Sequence, residues 1–98
     1  MDKHTPHHSL EDVKRLVREG AVKVSVVAMR NAFALGLEYK DILDTVLSLS
    51  RKDFYKSVTS YGDQRSWQDV YHPKTGAGTV YLKLTVREKA LILSFKEL

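Results

Sequence analysis

The chain contains no cysteine. It therefore has neither a disulfide framework nor thiolate metal ligands, and nothing points to an oxidising compartment or a cysteine-based zinc site. Long hydrophobic runs are also missing. The longest apolar stretches, such as Ala90 to Leu93, are far too short to cross a bilayer, and the opening residues Met1-Asp-Lys-His lack the apolar region of a signal peptide. No membrane association is expected, and the expected location is the cytoplasm. There is no repeat and no low-complexity segment. A phosphate-cradling loop is absent too, because Lys74-Thr-Gly-Ala-Gly78 has glycine and lysine in the wrong order for one and reads as a hairpin loop.

The chain has 98 residues, which fits one compact domain spanning 1–98. Hydrophobic residues make up 43% and charged residues 29%, the balance of an ordinary globular protein rather than a disordered tail. Sixteen Lys and Arg against twelve Asp and Glu leave a net charge of +4, which favours encounter with polyanions.

The first half carries helical periodicity and the second half strand periodicity. That order predicts an α+β domain, with helices on one side of an antiparallel sheet. Ser9 and Asp12 are spaced as a capping box, and Leu10, Val13, Leu16 and Val17 form an apolar stripe that stops at Gly20. Val22 to Val24 is a short strand candidate. Ser25 caps a second helix carrying Val27, Ala28, Met29, Ala32 and Leu35 and ending at Gly36, and a third helix is expected over about 40–49. From Phe54 onward Tyr, Val, Thr and Phe are enriched, with turn-formers at Gly62-Asp63, Pro73 and Gly76 to Gly78. Strands are expected near 54–61, 67–73, 79–87 and 90–96.

The last two strands are the most informative. Val80, Leu82, Leu84 and Val86 alternate with Tyr81, Lys83 and Thr85, and Leu91, Leu93 and Phe95 alternate with Ile92, Ser94 and Lys96. One core can cover both apolar sets only if they point the same way, which fixes the parity of the register. A two-residue turn at Glu88-Lys89 or a four-residue loop from Arg87 to Ala90 meets this condition. Either one places Tyr81 opposite Lys96 and Lys83 opposite Ser94, with Thr85 and Ile92 beside them.

Directly opposite side chains have Cβ atoms about 4.5–5.5 Å apart, so Tyr81 and Lys96 can serve one phosphate. The neighbouring segments Asp53-Phe-Tyr-Lys-Ser57 and Trp67-Gln-Asp-Val-Tyr71 add Tyr55, Lys56, Trp67, Gln68 and Tyr71. Cations, amides and aromatic rings on one sheet suit single-stranded RNA, whose phosphates, base edges and base planes each need one of them. Phe54, Trp67 and Phe95 are nevertheless assigned to the core. Of His4, His7, His8 and His72, three fall in an N-terminal stretch expected to be mobile, and no metal site is expected.

These strings together resemble the MqsR-type mRNA interferase toxins of bacterial toxin–antitoxin pairs, which share a compact ribonuclease fold with RelE-like toxins. The resemblance runs end to end. It is carried by Thr5-Pro-His7, Asp53-Phe-Tyr-Lys-Ser57 with Thr59 and Tyr61, Trp67-Gln-Asp-Val-Tyr71 with Pro73, Val80-Tyr-Leu-Lys83 with Thr85-Val86, and Ser94-Phe-Lys-Glu97. The resemblance implies a growth-arresting toxin that cleaves single-stranded mRNA at short GC-containing sites without a cofactor. It also implies a cognate antitoxin of the MqsA type, with a zinc-binding N-terminal region and a DNA-binding C-terminal region, so any zinc belongs to the partner. The family's active-site residues fall on Lys56, Gln68, Tyr81 and Lys96, while Tyr55 and Lys83 are expected to touch RNA. The helical half departs from the family more than the strands do.

Metal-free RNA cleavage uses the 2′-OH as nucleophile and leaves a 2′,3′-cyclic phosphate and a 5′-OH. An ordinary lysine, with a pKa of about 10.4, is neutral so rarely at pH 7 that using it as a base costs about 4.6 kcal/mol. Electrostatic roles are therefore expected for Lys56 and Lys96, unless repulsion among Lys56, Lys83 and Lys96 lowers one of them. Two further readings compete: a non-catalytic RNA-binding module using the same sheet, and a protein-interaction domain whose basic charge meets an acidic partner.

Overall fold

The computed structural model describes residues 1–60 and 62–98, and for residues 63–65 the backbone alone. Tyr61, at the end of the expected strand 54–61, lies outside the described residues. The elements in chain order are β1 (Asp2–Lys3), α1 (Leu10–Arg18), β2 (Val22–Val24), α2 (Val26–Ala34), α3 (Tyr39–Leu47), a 3-10 turn (Arg51–Asp53), β3 (Phe54–Ser60), β4 (Asp63–Tyr71), β5 (Lys74–Thr75), β6 (Gly78–Arg87) and β7 (Lys89–Glu97).

The helices begin where the capping residues place them. The Ser9 hydroxyl accepts the Asp12 amide at 3.3 Å, and α1 ends at Gly20, whose φ of 78° is the left-handed conformation that glycine adopts without strain. Ser25 has two roles. Its oxygen accepts the Ala28 amide at 3.0 Å to cap α2, while its hydroxyl donates to the Leu93 carbonyl at 3.0 Å and ties the helix start to β7.

The sheet runs in the order β1-β3-β4-β6-β7-β2, with β5 paired separately to the start of β6. Its pairs are antiparallel except β2 with β7, which are parallel. The three helices cover one side. Val13 and Val17 from α1, Ala28 and Ala32 from α2, and Ile42 and Val46 from α3 pack against Tyr71, Val80, Leu82, Leu84, Ala90, Ile92 and Phe95. This is the expected α+β arrangement, with one parallel pair added at the edge.

The β6–β7 hairpin keeps the expected pairs Tyr81 with Lys96 and Lys83 with Ser94, but reaches them by another route. Arg87 pairs with Lys89, so Glu88 alone makes the turn, at a φ of 65°. Between Leu84–Ile92 and Lys83–Ser94, Leu93 has no partner and forms a β-bulge. The bulge changes the register parity along the hairpin. On its turn side Ala90 and Ile92 face the helices, and on its far side Phe95 does, all three fully buried. The expected apolar face of Leu91, Leu93 and Phe95 is therefore corrected, and Ile92 belongs to the core rather than beside Lys83. Four consecutive apolar residues, Ala90 to Leu93, carry no alternation from which a face can be read.

The N-terminal stretch is held rather than loose. Asp2 pairs with Val58 and Lys3 with Ser57. The carboxylate of Asp69, fully buried, accepts the His7 amide at 3.0 and 3.1 Å and the His8 amide at 2.9 Å. Trp67, expected in the core, is also corrected. It is half-buried beneath this segment and not in the helix-covered core, with the His7 ring stacked at 5.7 Å and the Lys3 ammonium 4.2 Å from its centroid.

Candidate functional site

The side of the sheet away from the helices presents the polar positions. Strand alternation and register place residues of adjacent strands in rows across this open face. Lys56 on β3 lies opposite Val70 on β4, Val70 opposite Lys83 on β6, and Lys83 opposite Ser94 on β7. The row nearer the β4 end contains Tyr81 and Lys96, with the Lys96 ammonium 5.0 Å from the Tyr81 ring centroid. Gln68 lies on the other side of the Lys56 row, opposite Val58.

The six expected residues thus share one face without forming one cluster. Tyr81 and Lys96 touch. Lys56 and Lys96 stand on strands three spacings apart, roughly 14 Å at about 4.8 Å per spacing. One small ligand group reaches both ammonium groups only if both long side chains lean inward. Gln68 is held by its own bond, with Nε2 donating to the Ser60 hydroxyl at 2.7 Å, which fixes the amide plane. Lys83 occupies the middle row. Tyr71, read from the sequence as an available aromatic, is fully buried on the helix side, its hydroxyl without a hydrogen-bond partner among the described residues, and burial pushes its phenol well above the ordinary tyrosine range.

A residue set aside in the sequence completes the Tyr81 row. His72 follows β4 directly and its ring lies between two tyrosines, stacked on Tyr55 at 4.4 Å and 21° and tilted towards Tyr81 at 5.9 Å. Tyr55 projects at the β-bulge between Phe54 and Lys56 and is 50% exposed. The result is a continuous line of rings, Tyr55, His72 and Tyr81, with the Lys56 ammonium 5.3 Å from the Tyr55 centroid at one end and that of Lys96 over Tyr81 at the other. Extending the β4–β6 register one residue beyond Tyr71–Leu82 is the signal that finds His72, and that register is not readable from the sequence.

Electrostatics at Lys56 run opposite to the repulsion expected among the lysines. Its ammonium donates to Asp2 Oδ2 at 3.2 Å, and this hydrogen bond together with the Asp2 charge raises the Lys56 pKa. A lysine held in its charged form is a phosphate ligand and not a base. At the other end of the N-terminal segment, the Lys3 ammonium donates to His7 Nδ1 at 2.8 Å, so the His7 imidazole is neutral with its hydrogen on Nε2. Burial, then the charges of Lys3 and His8, lower the His7 pKa against the opposing pull of Asp69.

Helices on one side of an open sheet, and a line of rings flanked by ammonium groups on the other, define a small α+β domain that offers a cationic, stacking surface to a polyanion. Within that class its family is clear. Residues 5–97 match the family described as motility quorum-sensing regulator, toxin of MqsA, and the chain belongs to this MqsR toxin family. It is 48% identical over 97 residues to the mRNA interferase toxin MqsR of Escherichia coli (strain K12), a match covering 99% of both chains.

Proposed function

We propose that this chain is the toxin of a toxin–antitoxin pair and acts as a metal-independent endoribonuclease on single-stranded mRNA, cutting at short GC-containing sites and so arresting growth. The single observation that carries the catalytic reading is the Tyr81–Lys96 pair on an open face whose other polar groups suit RNA. The family membership and the name of the Escherichia coli relative support it. Among the described residues no helix is long and apolar enough to cross a membrane. We place the activity in the cytoplasm, where mRNA is found, and the partner that silences it is an antitoxin of the MqsA type carrying its own zinc-binding and DNA-binding regions.

In the proposed reaction the 2′-oxygen of one ribose forms a bond to the adjacent phosphorus as the P–O5′ bond breaks. The 2′-hydroxyl gives up a proton, the departing 5′-oxygen takes one, and the products are a 2′,3′-cyclic phosphate and a 5′-OH. The phosphorane carries an extra negative charge, and Lys96 beside Tyr81 is placed to stabilise it. The Tyr81 phenol hydrogen-bonds a non-bridging oxygen or donates to the 5′-oxygen. Lys56, kept charged by Asp2, binds phosphate, while Gln68 orients the nucleotide at its own row and Tyr55 and Lys83 contact the strand. His72, next to Tyr81, brings an imidazole, a group able to both accept and donate a proton.

The test is incubation of the purified protein with a defined mRNA in EDTA, followed by mapping of the new ends. Cleavage leaving cyclic phosphate and 5′-OH termini is expected. Activity lost in EDTA overturns the metal-independent reading, and tight binding without new ends favours the non-catalytic RNA-binding module.

A further inference from the structure

Beside the line of rings lies a surface pocket of about 510 Å³. It opens between the 3-10 turn and the β5 hairpin. Its walls include Ser48, Lys52, Asp53, His72, Lys74 and Thr79, so one residue, His72, belongs both to the pocket and to the row that ends in Tyr81 and Lys96.

The walls carry two cationic side chains and one carboxylate. Lys52 and Lys74 are exposed, and neither has an ion-pair or hydrogen-bond partner among the described residues. The one carboxylate in the wall is already engaged, since Asp53 Oδ2 accepts the Ser50 amide at 2.9 Å and the Ser50 hydroxyl at 3.3 Å. Free ammonium groups therefore outnumber free carboxylates in the pocket. The shared wall adds a second observation. His72 Nε2 is buried and has no hydrogen-bond partner among the described residues, so the ring is held in the wall by stacking on Tyr55 and not by a hydrogen bond at that atom.

We infer that this pocket is a subsite for a nucleotide flanking the scissile phosphate, with Lys52 and Lys74 on its phosphate and His72 linking it to the Tyr81–Lys96 row. The inference rests on the proposed RNA-cleaving function. An RNA strand crossing the open face past Tyr55 and Tyr81 reaches the pocket at His72, and a single strand can bend there because its bases are not held in a duplex. The pocket thus extends recognition beyond the nucleotides that lie on the sheet.

The experiment measures binding of an RNA made uncleavable by a 2′-deoxy sugar at the cut site, so that affinity is read apart from catalysis. The full strand is compared with strands shortened by one nucleotide at a time from each end. For the wild-type protein, one flanking nucleotide is expected to contribute about tenfold in affinity, equivalent to roughly 1.4 kcal/mol. In the double variant Lys52→Ala/Lys74→Ala that gain should disappear, and the slope of log affinity against log salt should fall by about 0.7 for each phosphate that is no longer neutralised. The control Lys23→Ala/Lys40→Ala removes the same charge from β2 and the start of α3, and it should retain the flank's gain. If the flank contributes equally in the wild type and in the Lys52/Lys74 variant, or if the control loses the gain to the same extent, the subsite is wrong. Cleavage of an ordinary RNA, run in parallel, judges the catalytic reading separately. Flank-dependent binding without cleavage would remove that reading and leave the pocket as a nucleotide-binding site with no scissile phosphate beside it.

Discussion

The two faces of one sheet have opposite characters here. On the helix side, Val80, Leu82, Leu84, Ala90, Ile92 and Phe95 have no exposed surface, whereas on the open side the same strands carry Tyr81, Lys83 and Lys96 in contact with solvent. Neighbouring residues such as Leu82 and Tyr81 therefore answer to different pressures, one to packing and the other, under the proposed function, to RNA. Stability and activity are thus separable by position along a single strand, and mutations can test how cleanly.

The largest effect is expected on the buried side. Phe95→Ala leaves a cavity at the centre of the core and should lower stability by about 3–5 kcal/mol, read by urea unfolding. Its neighbour Lys96→Ala should instead lower cleavage by about 100-fold or more with stability changed by less than about 0.5 kcal/mol, and Lys56→Ala and Tyr81→Phe should behave in the same way. If Tyr81→Phe or Lys56→Ala unfolds the protein, the division between faces fails. Asp69→Asn should cost about 1–3 kcal/mol, because the His7 and His8 amides lose a charged acceptor, and hydrogen exchange at those two amides should quicken. Asp2→Asn is expected to strengthen RNA binding a few-fold, since it frees Lys56 from its ion pair and removes a negative charge from the face. A filter-binding titration reads it.

The smallest effect concerns pH. The His7 pKa is lowered in the folded state from an ordinary value of 6.5, so the unfolded chain binds the proton more readily. Stability from this group is complete above about pH 6.5 and declines as pH falls through that value towards the lower folded pKa. Protonation also removes the Nδ1 acceptor used by Lys3. Thermal unfolding from pH 7.5 to 5 should show a decline that His7→Asn reduces, and an unchanged profile in that variant would assign the decline to other groups.

Much of this architecture is legible in the sequence, for reasons that differ by element. Ser9 and Ser25 announce helix starts because their hydroxyls satisfy amides that a helix leaves free, and Gly20 ends α1 by taking a conformation other residues resist. Opposition of Tyr81 and Lys96 agrees with the expected parity only because the one-residue turn at Glu88 and the bulge at Leu93 offset one another. The Leu93 bulge does not follow from the sequence, because a run of apolar residues hides the change of face. Strands of two residues, such as β1 and β5, are too short to show any period. The docking of the N-terminal segment depends on backbone amides meeting Asp69, an interaction that leaves no pattern in the side-chain sequence. At the site, Lys56, Gln68, Tyr81 and Lys96 are legible through resemblance and share a face in the structure, while the place of His72 depends on the β4–β6 register.

The position of β7 has a consequence for how the protein folds. This strand lies inside the sheet, between β6 and β2, yet comes after both of them in chain order. It carries Ile92 and Phe95 for the core and Lys96 for the proposed site. A chain lacking it has no closed sheet and no Tyr81–Lys96 pair. Completion of the core by Ile92 and Phe95 and assembly of the Tyr81–Lys96 pair are thus a single folding event, because one strand carries both.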